Sequence, residues 1–198
     1  MRYFVLVIAL SSSMAAATPC ESLAKLALPH ATITLAQAVP AGQLTLPAGA
    51  VPAFPGVPPP SFGNLPAICR VAATLQPTSD SDIKIEVWLP EANWNTKLES
   101  VGNGAWAGNV GYRDLATAVA AGWAVAGTDT GHTETTAAFV VGHPEKLIDF
   151  AYRAVHEMTL AAKAITSAYY GKNPTRVYFN GCSTGGRQAL TEAQRYPD

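Results

Sequence analysis

Charge is scarce in this chain. Of its 198 residues only 14% are charged, and 13 Lys and Arg against 14 Asp and Glu leave a formal net charge of −1 at pH 7. So thin and balanced a set builds no basic face, which argues against nucleic acid as a partner. Long apolar runs are missing too. The one clear run, Tyr3 to Leu10, is too short to span a bilayer, so no transmembrane helix is expected. Cysteine and histidine are sparse, with three and four copies. What is abundant is apolar residues (48%), with 16 Gly and 15 Pro. That composition and length predict one globular domain with a sizeable core and elaborate loops.

The N-terminus reads as an export leader over residues 1–17. Arg2 supplies the positive start, Tyr3 to Leu10 the apolar centre, Ser11 to Ser13 a polar stretch, and Ala15-Ala16-Ala17 a small-residue cleavage site. A buried strand is the bland alternative. Cleavage would start the mature chain at Thr18 and place it outside the cytoplasm, secreted or periplasmic, where disulfides persist. Three cysteines, Cys20, Cys69 and Cys182, are an odd count for an exported chain. Pairing Cys20 with Cys69 would tie the N-terminus to the first core region and leave Cys182 without a partner in this chain.

The chemistry concentrates in Arg176 to Leu190. Val177-Tyr178-Phe179 reads as a buried strand, and Gln188, Ala189, Leu190, Glu192 and Ala193 are good helix formers. Between them Gly181-Cys182-Ser183-Thr184-Gly185 fits G-x-S-x-G, the sharp strand-to-helix turn that lifts a serine clear of a sheet. The glycines are needed because the turn is strained and its neighbours must not clash. A helix N-terminus beside Ser183 aims free N–H groups at a developing oxyanion. A simple Gly/Ser turn or an anion site is the competing reading. A serine hydrolase of this type carries acid and histidine after the serine. Only fifteen residues follow Ser183, with no histidine among them, while His30, His132, His143 and His156 all precede it. The expectation is an N-terminal part of a longer protein.

Upstream, Glu21 to Leu28 predicts a short helix and Ala31 to Leu35 an extended segment, and the Pro-rich residues Pro47 to Pro66 an extended loop. Val71 to Leu75 and Ile83 to Leu89 alternate as a hairpin, followed by a strand at Leu98 to Val101. A helix over Arg113 to Ala121 ends at Gly122, and Trp123 to Gly127 is a strand. The longest helix runs from Asp149, its expected cap, to Tyr170, with Gly171 as its stop. The order predicts an α/β fold with a mostly parallel sheet and crossover helices. It divides as leader 1–17, an N-terminal extended segment 18–70, and the first part of a catalytic domain at 71–198.

Directly after the Leu98 to Val101 strand stands Gly102-Asn103-Gly104-Ala105-Trp106-Ala107-Gly108. In an α/β-hydrolase the loop at this place supplies one oxyanion N–H and the residue after the serine the other, which nominates Gly104 and Thr184. A dinucleotide loop is disfavoured, because the third glycine comes one position late and Asn109-Val110-Gly111-Tyr112 does not open a helix there. A purely structural glycine loop stays open as an alternative. His132 and Asp129 lie in a loop at the end of a strand. His132 lines a pocket or bonds to backbone, the second being favoured, and Asp129 reads as a loop brace.

Gly181 to Gln188, then Glu192-Ala-Gln-Arg-Tyr-Pro197, resembles the tannase and feruloyl esterase family of secreted α/β-hydrolases. Trp94-Asn95 with Lys97, Gly102-Asn-Gly104 with Trp106-Ala-Gly108, and Thr128-Asp-Thr-Gly-His132 fit it in the same order. The resemblance implies a carboxylic ester hydrolase acting on feruloyl, galloyl or related phenolic esters through a Ser183 acyl-enzyme, with Gly104 and Thr184 as oxyanion donors and no organic cofactor. It implies a Cys20–Cys69 disulfide, and a partner for Cys182 next to a catalytic histidine beyond Asp198, together with the acid and a lid with a calcium site. Ala105 stands where the family often has glycine, which would stiffen the loop. The alternative from another class is a short, non-catalytic secreted α/β binding protein that kept the elbow.

Overall fold

The structure is a computed structural model that describes residues 17–51 and 58–197. Residues 1–16 of the expected leader lie outside the described residues, as do residues 52–57 of the Pro-rich loop. Among the described residues no helix is long and apolar enough to cross a membrane.

Six strands form one sheet: β1 (Ala31–Val39), β2 (Ile68–Leu75), β3 (Ile83–Pro90), β4 (Lys97–Val101), β5 (Ala124–Thr128) and β6 (Arg176–Asn180), in the order β1-β2-β3-β5-β4-β6. The expected hairpin is present, with Ile68 opposite Pro90 and Leu75 opposite Ile83. Its alternation sets its two faces. Ile85, Val87 and Leu89 enter one core, while Trp88 enters the other. β1, β2, β3 and β5 pair antiparallel, and only β5, β4 and β6 are parallel neighbours, so this part of the sheet is mixed rather than mostly parallel. The parallel pairings need crossovers, and helices supply them.

Helix α1 (Tyr112–Ala120) carries Leu115 and Val119 onto Trp88 and Val125 on one face of the sheet. It stops at Gly122, whose φ of +82° suits glycine and whose missing Cβ would stand 2.8 Å from the Asn93 carbonyl oxygen. On the other face α3 (Ala154–Tyr170) packs Met158, Ala162 and Ile165 against Leu98, Ala124 and Ala126. Gly171 ends it in the left-handed region at φ +66°.

The start of that long helix differs from the expectation. Helical structure opens earlier, at α2 (Pro144–Ile148), where Pro144 occupies the first turn without costing a hydrogen bond. A π-turn over Asp149–Arg153 joins α2 to α3. Asp149 is therefore not a cap. It is fully buried inside the helical run, and its Oδ1 accepts from Arg153 Nε at 2.6 Å. Arg153 also reaches Glu145 Oε2 at 2.7 Å.

Two tethers hold the N-terminal half. The Cys20–Cys69 disulfide (Cα–Cα 5.4 Å) joins a 3₁₀ helix at Cys20–Lys25 to β2, and both cysteines are buried. The buried carboxylate of Glu86 gathers Arg70 Nε (2.9 Å), Trp88 Nε1 (2.9 Å) and the Tyr112 hydroxyl (3.1 Å), which fixes the first residue of α1 to the sheet. A carboxylate this deep needs such a set of donors to offset its lost hydration.

β6 also departs from expectation. It pairs with β4 alone and stands at the edge of the sheet, with Val177 38% and Tyr178 44% exposed. Its β-branched and aromatic residues read as buried, but burial depends on what covers them, and nothing among the described residues pairs with its second edge.

Candidate active site

The sharp turn forms where the spacing places it. β6 ends at Asn180, and α4 (Thr184–Arg195) begins at Thr184. Between them Ser183 adopts φ 56° and ψ −118°, a backbone conformation that L residues avoid. The flanking glycines explain how the turn closes. A Cβ on Gly181 would stand 2.6 Å from the Gly185 carbonyl carbon, and one on Gly185 would stand 3.2 Å from both the Asn103 carbonyl oxygen and Gly102 Cα. Ser183 and Cys182 are exposed at the top, and Cys182 is a free thiol.

The Gly102 to Gly108 loop is stitched onto this elbow. Gly102 N–H donates to the Asn180 carbonyl at 2.9 Å, which extends the β4–β6 pairing by one bond. The Thr184 hydroxyl donates to the Ala105 carbonyl at 3.1 Å. Asn103 and Gln188 form a reciprocal pair: Asn103 N–H donates to Gln188 Oε1 at 3.0 Å, and Gln188 Nε2 donates to Asn103 Oδ1 at 3.2 Å. Asn103 Nδ2 then donates to the carbonyls of Asn109 and Thr128, both at 2.8 Å. One side chain thus links the loop, the end of β5 and the elbow helix. A Cβ on Gly102 would fall 2.5 Å from Gly185 Cα, so only glycine lets loop and helix approach this closely.

Gly104 faces open space, with no atom within 4 Å of where a Cβ would sit. Its carbonyl accepts from Ala107 N–H at 2.9 Å in a tight turn that holds Ala105 at φ 48°. That is the left-handed region where glycine costs nothing, and alanine makes the turn both strained and stiff. Among the described residues neither the Gly104 nor the Thr184 N–H donates to any acceptor. The Thr184 N–H belongs to the first turn of α4, whose donors point out of the helix. The two N–H groups nominated from the sequence therefore lie on two segments held together by hydrogen bonds, and both are free.

No histidine meets the serine. His132 is buried, with Nε2 2.8 Å from the Trp106 carbonyl and Nδ1 3.3 Å from the Thr130 hydroxyl, and its ring stacks on Phe139 at 3.7 Å. A carbonyl only accepts, so Nε2 carries a proton and braces the glycine loop. His143 and His156 pair with Asp80 and Glu192. Asp129 is the expected brace: Oδ1 accepts from Gly131 N–H (2.8 Å) and Lys84 N–H (2.9 Å). Burial pushes its carboxyl up to about 7, against the lowering effect of those two bonds.

Three further features were not read from the sequence. Gln188 looked like an ordinary helix former, though a glutamine beside two glycines and an arginine was a signal. Arg187 donates to the carbonyls of Ala151 (2.6 Å) and Phe150 (3.3 Å) in the π-turn. Trp106, Phe139, Phe150 and His132 form an aromatic cluster beside the loop from positions up to 44 residues apart, which no local pattern announces.

The sequence model described as tannase and feruloyl esterase matches residues 69–198. An uncharacterized esterase of Xanthomonas campestris pv. campestris is 41% identical over 199 residues, covering 100% of this chain and 33% of its own length. The crystal structure of feruloyl esterase B from Aspergillus oryzae superposes with a TM-score of 0.78 at 35% identity, over 90% of this chain and 34% of that one. The tannin acyl hydrolase from Aspergillus niger gives a TM-score of 0.61 at 25% identity, over 92% and 33%. The chain spans about a third of the length of these relatives, and its fold is the N-terminal portion of an α/β-hydrolase. By its matched residues and its architecture, the chain belongs to the tannase and feruloyl esterase family.

Proposed function

We propose that this chain carries the nucleophile and the oxyanion donors of a secreted carboxylic ester hydrolase acting on phenolic esters, with residues 71–198 as the first part of its catalytic domain. The observation that carries the reading is the conformation of Ser183: a positive φ at a strand-to-helix junction, with the following residue bonded to the Gly104-Ala105 turn. Strain of this kind persists where the surroundings enforce it, and it sets a hydroxyl above the sheet with the N–H groups of Thr184 and Gly104 beside it.

In this mechanism Ser183 Oγ attacks the ester carbonyl carbon as a base takes its proton. The carbonyl oxygen becomes an oxyanion bonded to the Gly104 and Thr184 N–H groups. Collapse expels the alcohol, which receives the proton, and leaves an acyl-serine. Water repeats the sequence and releases the acid. Loss of one such donor costs about 3 kcal/mol of barrier. The base is a histidine outside these 198 residues, since all four of this chain's histidines precede the serine and none bonds to it. Cys182, exposed beside Ser183, is the attachment point for a disulfide near that histidine. The Cys20–Cys69 bond and the leader-like residues 1–17 support export. The relatives' names, feruloyl esterase and tannin acyl hydrolase, support an aromatic acid ester as substrate. The calcium site implied by the resemblance is assigned to a lid beyond these residues, and no step proposed here runs through a metal.

The test is Ser183→Ala in the esterase that contains this chain, assayed with methyl ferulate, methyl gallate and a p-nitrophenyl ester. Turnover falls to background with the fold unchanged, because an exposed hydroxyl contributes little packing. The 198-residue chain alone shows no turnover. Ser183→Ala protein that still cleaves these esters overturns the assignment.

A further inference from the structure

A cavity of about 310 Å³ lies between α3 and α4, and another of about 470 Å³ opens beside the elbow. The second one shares its walls with the proposed chemistry. It is lined by Ala105, which follows the nominated donor Gly104, by Thr184, the other nominated donor, and by Trp106, Leu147, Phe150 and Arg187.

Its apolar wall is built rather than incidental. The π-turn at Asp149–Arg153 holds Phe150 under Trp106, and the two rings stack with centroids 4.6 Å apart at 21°. Phe139 braces both rings edge-on at 6.2 and 5.8 Å, and His132 stacks on Phe139. His132 Nε2 also pins the Trp106 carbonyl, so the backbone of this tryptophan is held as firmly as its ring. Phe150 is buried by this, yet Trp106 stays 40% exposed and Leu147 45%. A large aromatic residue fixed on one side and left open on the other presents a ready surface for a second ring. Arg187 adds charge without adding an anion site. Its guanidinium donates to the Phe150 and Ala151 carbonyls and lies 5.2 Å over the Phe150 ring. These bonds hold the π-turn in place from the elbow helix, four residues after Ser183.

From this geometry we infer that Trp106 and Leu147, with Phe150 backing the indole, form a seat for a flat, uncharged aromatic ring of the ester, which stacks on the open face of Trp106 while its carbonyl reaches the Gly104 and Thr184 N–H groups. The inference rests on the esterase reading and adds the part of the substrate that these residues hold. The two side chains that would touch the ring, Trp106 and Leu147, offer only the Trp106 indole N–H as a polar atom. The seat therefore recognises the ring's face, with ring hydroxyls left to other residues. A benzoyl and a galloyl ring should gain equally from it.

The ring could belong to the acid or to the alcohol of the ester, and the assay separates them. In the intact esterase, kcat/KM is measured for ethyl benzoate and ethyl gallate (ring on the acid), phenyl acetate (ring on the alcohol) and ethyl acetate (no ring). Trp106→Ala and the solvent-exposed Leu147→Asp each lower the ratio of ring-bearing to ring-free activity by about tenfold to a hundredfold. Trp106→Phe restores most of it. The benzoate and gallate ratios fall together, or the phenyl acetate ratio falls in their place, and either outcome assigns the ring. A fall in ethyl acetate activity as large as in the ring-bearing esters, or no change in any ratio, overturns the seat. A binding measurement keeps the two readings apart. Benzyl methyl ketone, which cannot be hydrolysed, is titrated into Ser183→Ala protein with and without Leu147→Asp. Saturable binding that Leu147→Asp weakens at least tenfold supports the seat whether or not Ser183 proves to be the nucleophile, and equal binding by both proteins overturns it.

Discussion

Replacing Gln188 by leucine removes both bonds of the pair that holds the glycine loop against the elbow helix. Gln188 is 2% exposed, and leucine nearly fills its space, so the change is a loss of hydrogen bonds rather than of packing. Asn103 N–H then has no acceptor and Asn103 Oδ1 no donor. The Asn103 side chain cannot swing out to water, because its amide nitrogen remains bound to the Asn109 and Thr128 carbonyls. Each buried group left unpaired costs about 1–3 kcal/mol, so the variant should lose about 2–6 kcal/mol of stability. Urea unfolding followed by tryptophan fluorescence reads this as a lower midpoint at unchanged slope. Gln188→Glu sharpens the test. One carboxylate oxygen still accepts from Asn103 N–H, while the other faces Asn103 Oδ1, acceptor against acceptor. Protonation of the introduced carboxyl restores the donor, so its folded-state pKa is raised. The deficit is then smallest at low pH and grows as pH rises through that value. Ester turnover should follow the same trend in both variants, because the pair sets the distance between the Gly104 and Thr184 donors. A Gln188→Leu protein within about 0.5 kcal/mol of the parent, the range of an ordinary surface substitution, would refute the clamp.

Two other outcomes follow from the scaffold. The Cys20–Cys69 bond closes a span of 49 residues, so replacing both with alanine should cost about 4 kcal/mol by loop-closure entropy, and reduction of the parent should lower its urea midpoint by a matching amount; an unmoved midpoint contradicts this. Asp129, pushed up to about 7 by burial, binds its proton more tightly folded than unfolded, so its contribution is complete below about pH 4 and is lost as pH rises toward 7. Asn at 129 keeps both backbone bonds through Oδ1 and should flatten that part of the stability profile, whereas an equally steep profile in Asp129→Asn protein assigns the pH dependence elsewhere.

The elbow was legible because strand, turn and helix lie within twenty consecutive residues, and local chemistry decides each of them. The hairpin was legible for the same reason, its apolar and polar residues alternating from Ile83 to Val87. The helix start was misplaced because Asp149 is a good cap in isolation, while Pro144, the better signal, sits before a π-turn that shifts the apolar period. The exposure of β6 could not be read from Val177-Tyr178-Phe179, since an apolar strand looks the same whether or not its second edge is paired. Asn103 and Gln188 are 85 residues apart, and their pairing depends on a close approach that only the packed Gly102 and Gly185 backbones allow. Residue type showed where the serine stands, and the fold was needed to show what holds it there.

The strand order has a consequence for how the chain is made. β4 leaves the ribosome before β5, yet β5 is the strand that stands between it and β3 in the finished sheet. Until β5 emerges, the newest strand available to the free edge of β3 is the wrong one, and any such pairing has to be undone. β4 then waits longer still for its second neighbour, because Lys97 pairs with Arg176 across 79 residues of sequence. Contacts that distant close slowly. Of these six strands the one that presents Ser183 is the last to be synthesised, so its strained turn is expected to close against five strands that have already emerged.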